Sequence, residues 1–422
     1  MEAPYEFDLM PLETPDDSPQ WAEYLDIFGF SFLDARATEE RVATYRQHRR
    51  VDRAWLGRIT AEGIGLNGRE AIAGFAAAPT TINCGRGLVD ALVINTVAVR
   101  PSHRRRGLLK HMMRAQPDAA RDKGMALATL TASEATIYGR FGFGIATHTH
   151  PIHVDTRRLA FRTDVPVAEG SVEFVHPSFL EEHWQRLVSE NQARYRGAVG
   201  HLHGHFLMDT GQWDSGEGGP SRSLRCVAHF TPGGDVDGFA LFTPKGWHET
   251  PITTEVRKVC ASDQAVNRAL WKAMADMDMV ERLTYPLSPP GDPLAASLVD
   301  PWAVQPKEGD DPVWLRILDL PSAVAQRGFN GEGSVAVRLV DPMDYCGGTW
   351  RLSAADGVGT AECTEDQPEV ELPVDVLAAM WHGDRTASEL ALSGLLQGED
   401  AAIGRLSRLF QVDEPPMNLA VF

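Results

Sequence analysis

The stretch Ile94-Asn-Thr-Val-Ala-Val-Arg-Pro-Ser-His-Arg-Arg-Arg-Gly-Leu-Leu-Lys110 constrains this chain more than any other. A β-branched run ends at Val99, a basic loop carries Arg104, Arg105, Arg106 and Gly107, and Leu108, Leu109, Met112 and Met113 then recur at helical spacing. A helix start presents unpaired N–H groups and the positive end of a dipole. A strand that enters a helix through a basic glycine turn therefore makes a seat for a pyrophosphate, with Gly107 allowing close backbone approach. The helix is expected over Gly107–Lys123, stopped by Gly124, and kinked or shortened by Pro117. A buried-type strand, Met125–Thr131, should follow. Ser133 should cap a short helix ending at Tyr138, and Phe141-Gly142-Phe143 should open another strand.

Strand, basic loop, helix, second strand and tyrosine in this order resemble the GNAT acetyltransferase superfamily, whose loop reads R/Q-x-x-G-x-G/A. Arg104-Arg-Arg-Gly107 supplies its first half, and Leu109 stands where Gly or Ala is usual. Val97-Ala-Val-Arg-Pro-Ser-His-Arg-Arg-Arg-Gly-Leu-Leu109 and Ala132-Ser-Glu-Ala-Thr-Ile-Tyr-Gly-Arg-Phe-Gly-Phe-Gly144 are more closely similar to the enhanced intracellular survival (Eis) acetyltransferases, where a leucine at that place is normal. A weaker likeness covers Ala269-Leu-Trp-Lys-Ala-Met274, Trp314-Leu-Arg-Ile-Leu318 and the terminal phenylalanine.

The resemblance implies an α/β (α+β) chain: two GNAT-like mixed-sheet domains, then a C-terminal sterol-carrier-like α+β domain. It implies acetyl-CoA as cosubstrate and a homohexamer. Val97, Ala98 and Val99 would hold the acetyl and pantetheine arm through backbone N–H groups. Arg105, Arg106, Gly107, Leu108, Leu109 and Lys110 would hold the pyrophosphate, and Ser133 and Glu134 would line the cofactor. Tyr138 would be the general acid, a hydroxyl able to give the departing thiolate its proton; a core tyrosine packed under Phe141 and Phe143 is the other reading. The carboxylate of Phe422 would be the base, delivered by the apolar tail Pro415-Pro-Met-Asn-Leu-Ala-Val-Phe422. Val421 replaces an acidic residue that some relatives carry there.

A length of 422 residues suits two or three domains. Composition divides it at 1–150, 151–306 and 307–422, with Lys307–Pro312 as the last boundary. In the first segment, Trp21, Tyr24, Leu25, Phe28 and Phe32 give a helical stripe over Gln20–Phe32. A second helix is expected at Glu39–His48, and strands at Ala54–Thr60, Ala71–Ala77 and Gly87–Val99, the first two joined by a turn at Asn67-Gly68-Arg69. The middle segment is again mixed, with helices near Pro177–Gln192 and Val266–Asp276, strands near Arg225–Phe230 and Val236–Phe242, and a proline loop at Pro286–Pro293. The last segment should open with the strand Trp314–Leu318. Strands at Ser334–Val340, Thr349–Ser353 and Val370–Leu372 should follow, with helices at Val374–Trp381, Thr386–Leu395 and Asp400–Phe410.

The net charge of −18 argues against nucleic acid as main ligand and suits a cationic substrate, although an acidic surface also simply confers solubility. Asp26 and Asp34, with Phe28 and Phe32 between them, are candidates for binding a cationic amine; a solvated helix face explains the carboxylates equally well. Five scattered cysteines form no CxxC pair, which speaks against a disulfide framework or zinc finger and for the cytoplasm. His201-Leu-His-Gly-His205 has no adjacent acidic or cysteine partner, so no metal site is expected. No signal-peptide pattern and no membrane-length apolar run occur. The competing functions are acetylation of a protein lysine or N-terminus, and lipid or sterol binding by the last segment.

Overall fold

The computed structural model describes residues 5–11, 13–62, 70–214 and 216–422. The turn expected at 67–69 lies outside them. The chain forms two compact units, one of residues 1–146, 313–412 and 422, the other of 147–312 and 413–421.

The first unit begins with strand β1 (Glu6–Met10) and helices α1 (Gln20–Ser31) and α2 (Glu39–Val51). Strands β2 (Trp55–Ala61), β3 (Glu70–Asn83) and β4 (Leu88–Val99), helix α3 (Leu108–Arg121), strand β5 (Leu127–Leu130), the single turn α4 (Ala135–Tyr138) and strand β6 (Gly144–Thr149) follow. The sheet runs β1-β2-β3-β4-β5, then the strand Asp310–Ile317, then β6. Within it β3 is paired on both sides, and its Ala73, Phe75, Ala76, Ala77 and Ala78 are inaccessible to water, a run too apolar to face solvent on either side. On α1 the stripe Trp21, Tyr24 and Leu25 packs on Met10, Tyr45 and Leu56, as helical spacing dictates. Phe32 falls just past the helix and is 43% exposed.

Several expectations are corrected here. Helix α3 runs through Pro117 to Arg121 and is not cut short there. Ser133 does not cap this helix: the N-cap residue of α4 is Glu134, and no side chain makes a capping hydrogen bond there. Phe141 lies in a 3-10 turn, so the strand starts at Gly144. The strand expected at Trp314–Leu318 forms as Asp310–Ile317, but it pairs antiparallel with β5 (Trp314 opposite Leu130) and so belongs to the first sheet.

A second sheet of this unit has the order Val358–Cys363, Gly348–Ala355, Gly333–Val340, Val370–Pro373, Gln397–Gly398. Helices Leu320–Gln326, Val374–Met380, Ala387–Leu392 and Asp400–Phe410 accompany it. Its interior holds Trp381, Phe410 and the fully buried Arg327, whose guanidinium donates to the carbonyls of Trp381, Gly328 and Phe410. The helix Leu320–Gln326 and the strand Val358–Cys363 were not foreseen.

In the second unit the order is Val304–Pro306, Ile152–Asp155, Arg282–Tyr285, Thr253–Ala261, Val236–Pro244, Arg225–Phe230, Ser171–Val175. The helix expected at Pro177–Gln192 is a 3-10 turn, Pro177–Glu182, followed by Trp184–Arg194. The tail is packed, with Leu419 and Ala420 buried. Met417 N donates to Arg196 O (3.0 Å), Val199 N to Asn418 Oδ1 (3.0 Å), and Val421 O lies 2.9 Å from His205 Nε2. Since His205 Nδ1 accepts from Leu202 N at 2.8 Å, the proton is on Nε2, which donates to Val421. His205 thus serves a helix start and the tail, His201 lies 3.1 Å from Lys258 Nζ, and no group of metal ligands occurs among the described residues. No helix there is long and apolar enough to cross a membrane.

Candidate functional site

Strands β4 and β5 are parallel neighbours only over Ala91–Val93 and Leu127–Thr129. Beyond Val93 they part, and a cleft of about 860 Å³ opens between them. The pairing of β4 with β3 is irregular at the same level: Asn95 opposes Ala76 and Ala98 opposes Gly74, so Thr96 and Val97 share one partner. Thr96 has a φ of 48°. This bulge is held by Tyr24, whose hydroxyl is 2.8 Å from Thr96 Oγ1, with Tyr45 at 3.5 Å. Past the bulge Arg100 N donates to Ile72 O on β3 (2.8 Å). Antiparallel ladders pair alternate residues, so Ala98 faces β3, and the amides of Val97 and Val99 face the cleft.

At the far end of the cleft, Gly107 at φ +81° turns the chain into α3. A Cβ on Gly107 would meet no atom within 4 Å, so the requirement for glycine there is conformational, not steric. No side chain caps α3, which leaves its first amides free for an anion. The cleft is lined by Val97, Ala98, Val99, Arg105, Gly107, Leu108, Leu109 and Lys110 on this side, and by Ser133, Glu134 and Tyr138 on the other. Arg106 is the exception among the expected cofactor residues. It is not part of the lining, and its guanidinium donates instead to Tyr5 Oη (3.1 Å) and Ser102 O (3.1 Å). The unpaired strand amides, the uncapped helix start and the basic loop fit a pantetheine arm ending in a pyrophosphate.

Tyr138 is 7% exposed and meets Phe143 edge-on at 6.2 Å. Burial, reinforced by the Glu134 carboxylate, raises its phenol above the ordinary value, so it is protonated at neutral pH. It is at once a core residue and a cleft residue. Phe422 N donates to Thr131 Oγ1 (3.2 Å), which fixes the C-terminal residue just past the end of β5.

The acceptor candidates separate. Phe32 lines the same cleft as Tyr138. Phe28 packs on the cluster of Ile27, Ala71 and Ala98 and stacks on Phe32, ring centroids 4.4 Å apart. Asp26 and Asp34 line a different cleft of about 450 Å³, with Glu23, Glu70, Arg36 and Arg100. Each of these carboxylates faces an arginine: Glu23 with Arg58 (3.1 Å), Asp26 with Arg36 (4.0 Å), Asp34 with Arg41 (3.5 Å), Glu70 with Arg100 (3.4 Å).

Sequence reasoning missed Pro342 and Met343, which reach the cleft of Tyr138 from the distant end of the strand Gly333–Val340. They are placed by Asp341, which accepts from Met343 N, Tyr345 N and Cys346 N (2.9, 2.9 and 2.8 Å) and from Arg316 Nη2 (2.6 Å to each oxygen). Its carboxyl is held below the usual range: burial pushes it up, and Arg316 with the amides outweighs that. Arg140 and His103, also in the lining, stand inside or beside the two motifs and were within reach of the sequence argument.

Profiles of acetyltransferase (GNAT) domains match residues 17–146 and 181–317, and a sterol carrier protein domain profile matches 320–418. The N-acetyltransferase Eis of Mycobacterium tuberculosis is 33% identical over 335 residues, 76% of this chain and 78% of that protein. An uncharacterized N-acetyltransferase of Streptomyces avermitilis is 29% identical over 411 residues, 95% of this chain and 96% of that one. Among solved structures, Eis1 from Mycobacterium abscessus superposes with a TM-score of 0.79 at 24% identity, covering 99% of this chain and 100% of its own. A GCN5-related N-acetyltransferase from Kribbella flavida gives 0.74 at 20% identity, with 99% of each chain covered. These structures share the fold: two GNAT domains and a sterol-carrier-like domain, in mixed sheets. With identity above 30% over three quarters of its length, the chain belongs to the Eis-type N-acetyltransferases of the GNAT superfamily, enzymes that move an acetyl group from acetyl-CoA to an amine.

Proposed function

We propose that this enzyme acetylates primary amines of a polycationic small molecule, an aminoglycoside or polyamine, by direct transfer from acetyl-CoA. The amine nitrogen attacks the thioester carbonyl and the C–N bond forms. As the carbonyl re-forms, the C–S bond breaks and the thiolate takes the proton of the Tyr138 hydroxyl. The proton shed by the amine goes to the C-terminal carboxylate of Phe422. The products are the amide and CoA thiol.

One observation carries the reading: a tyrosine held in its protonated form shares a cleft with the strand amides of Val97 and Val99 and the uncapped start of α3. Those amides suit the thioester and pantetheine, and Arg105, Lys110 and the helix start suit the pyrophosphate. The Phe422–Thr131 hydrogen bond supports a fixed terminal carboxylate. Support for a polycation comes from the net charge of −18 and the carboxylates around Asp26 and Asp34, where an incoming ammonium exchanges for the resident arginines.

The test is thiol release from acetyl-CoA with kanamycin, spermidine and a lysine peptide as acceptors. Release with the first two, and collapse in both Tyr138→Phe and a Phe422 deletion, is the expected result. Release with the peptide alone would replace the small amine by a protein acceptor. Undiminished turnover in the deletion would remove Phe422 from the mechanism.

The same reading takes functional domains at 1–150, 151–306 and 307–422, the first sheet borrowing the strand Asp310–Ile317, and a cytoplasmic homohexamer. Five cysteines without a disulfide accord with that compartment, and exposed Trp247, Trp302 and Leu392 with burial between subunits. Light scattering during gel filtration tests the hexamer.

A further inference from the structure

The strand–helix–strand unit that builds the cofactor cleft occurs twice. In the second unit of the chain, Thr253–Ala261 leads into the helix Gln264–Ala275, and the strand Arg282–Tyr285 returns beside it. The two strands are parallel neighbours only over Thr253–Glu255. Beyond Glu255 they part, as β4 and β5 part beyond Val93. The link into the helix is different. Ser262 and Asp263 span it, where the first unit uses Arg100–Gly107. The Asp263 carboxylate accepts from Ala265 N (2.7 Å) and Val266 N (2.9 Å), so the helix start is already filled by a negative charge. A pyrophosphate is excluded there by like charge and by lack of amides.

The space between the parted strands nevertheless remains. It is a cavity of about 290 Å³, walled on one side by tail residues Glu414, Pro415 and Met417. Polar groups in its lining are left unanswered. Tyr285 is 2% exposed, and its hydroxyl makes no well-formed hydrogen bond with protein. Asn267 Oδ1 is buried without a partner. Unmet polar groups of this kind mark a place where a ligand or ordered water belongs. Asp292 lines the same cavity with a carboxyl that burial raises, and the rings of Trp271 and Tyr195 border it.

We propose that this second cleft binds a small organic cation, an alkylammonium. Two carboxylates, Asp292 and Glu414, stand in the lining against one guanidinium, Arg194. That guanidinium is already committed, donating to Ser262 O and lying 5.3 Å from the Tyr195 ring centroid. The orphaned acceptor on Asn267 takes an N–H from the ammonium, and the aromatic walls stabilise the cation beside them. The volume admits a short alkyl chain, not a nucleotide. The site is separate from the acetyl-transfer cleft, and the inference does not depend on the roles of Tyr138 and Phe422.

Titration calorimetry of the full chain without acetyl-CoA tests it, using n-pentylamine and its neutral counterpart n-pentanol at pH 7.5. Pentylammonium should bind, with pentanol weaker by about tenfold or more, the loss of roughly one cation–π and charge contact. Asp292→Asn and Asn267→Leu should each weaken the amine by a similar factor while thiol release in the acetyl-transfer assay stays unchanged. Glu414→Gln, at an exposed position of the tail, gives the same reading without risk to folding. Equal binding of pentanol would reduce the site to a greasy pocket. Unaltered amine binding in all three variants, or a loss confined to Tyr138→Phe, would place the amine in the first cleft and overturn the inference.

Discussion

Asp341→Ala should be the most damaging single substitution in the first unit outside its apolar core, and its cost can be worked from contacts. The side chains of Arg316 and Asp341 are 1% and 0% exposed, and Arg316 Nη2 lies 2.6 Å from both carboxylate oxygens. Removing the carboxylate strands a guanidinium that keeps only the Ile317 carbonyl (2.8 Å) and the Tyr345 ring, 5.1 Å away. Breaking one side of a buried pair costs about 3–5 kcal/mol. The amides of Met343, Tyr345 and Cys346 lose their acceptor as well, and even one left dry adds about 1 kcal/mol. A total of roughly 4–6 kcal/mol lowers the melting temperature of a domain this size by about 10–20 °C. Since Asp341 also aims Pro342 and Met343 into the cofactor cleft, KM for acetyl-CoA should rise more than kcat falls. Urea unfolding of wild type, Asp341→Ala and Arg316→Met/Asp341→Ala decides the source. The double variant, free of the stranded charge, should recover about half of the loss. A single-variant loss under about 1 kcal/mol, or a double variant no better than the single, refutes the reasoning.

Arg105→Ala should raise KM for acetyl-CoA by about tenfold, the worth of a charge-assisted contact, whereas Arg106→Ala should leave it within about twofold because Tyr5 and Ser102 hold that guanidinium; steady-state kinetics showing the reverse order would refute the loop assignment. Tyr138→Phe should lower kcat by about 10²–10⁴. With its phenol raised above 10, wild-type kcat should begin its alkaline fall only beyond that pH, and a fall centred near 8 would exclude Tyr138 as the acid. Burial lowers His205 from 6.5 to about 4, so the unfolded chain binds the proton first as pH drops. Its contribution to stability is complete above 6.5 and is lost progressively toward 4, up to roughly 3 kcal/mol. His201, depressed by burial and Lys258, adds a slope of the same sign. Urea unfolding from pH 7 to 4 should therefore be less steep in His205→Gln, and equal slopes would disprove the assignment.

Residues that line the first cleft from one continuous stretch were legible in the sequence, because strand, glycine turn and helix leave local marks. That is why Val97–Val99, Gly107–Lys110, Ser133, Glu134 and Tyr138 come together as expected. Arg106 did not follow, since nothing local tells which of three adjacent arginines turns back to the body of the protein. Pro342 and Met343 were invisible for the opposite reason: their position depends on Asp341 meeting Arg316 across the fold. The strand expected at Trp314–Leu318 as the opening of the last segment forms as Asp310–Ile317 and pairs with β5, a partner that periodicity does not report, since it marks burial alone. Pro117 does not end α3, because the helix around it is held by Met112, Met113 and Ala120 in the core. Asp26 and Asp34 line a different cleft from Tyr138, each facing an arginine, because a helical stripe does not tell which cleft its ends border.

The bulge at Thr96 explains why two tyrosines far from the chemistry matter to it. At the start of β4 the Cys84 amide donates to Gly87 (3.0 Å), and with the register Asn83–Leu88 this makes the odd-numbered residues Val89 to Asn95 those that bond β3. Continued without interruption, that alternation would turn Val97 and Val99 toward β3 and leave their amides occupied. The extra residue shifts the phase by one, so Ala98 and Arg100 bond β3 and Val97 and Val99 are released into the cleft. A threonine at φ 48° costs about 1–3 kcal/mol. The strain persists because Tyr24, on the buried face of α1, bonds Thr96 at its hydroxyl and its carbonyl, with Tyr45 beside it. The apolar stripe that first identified α1 as a helix therefore also locks the phase of the strand whose Val97 and Val99 border the cleft.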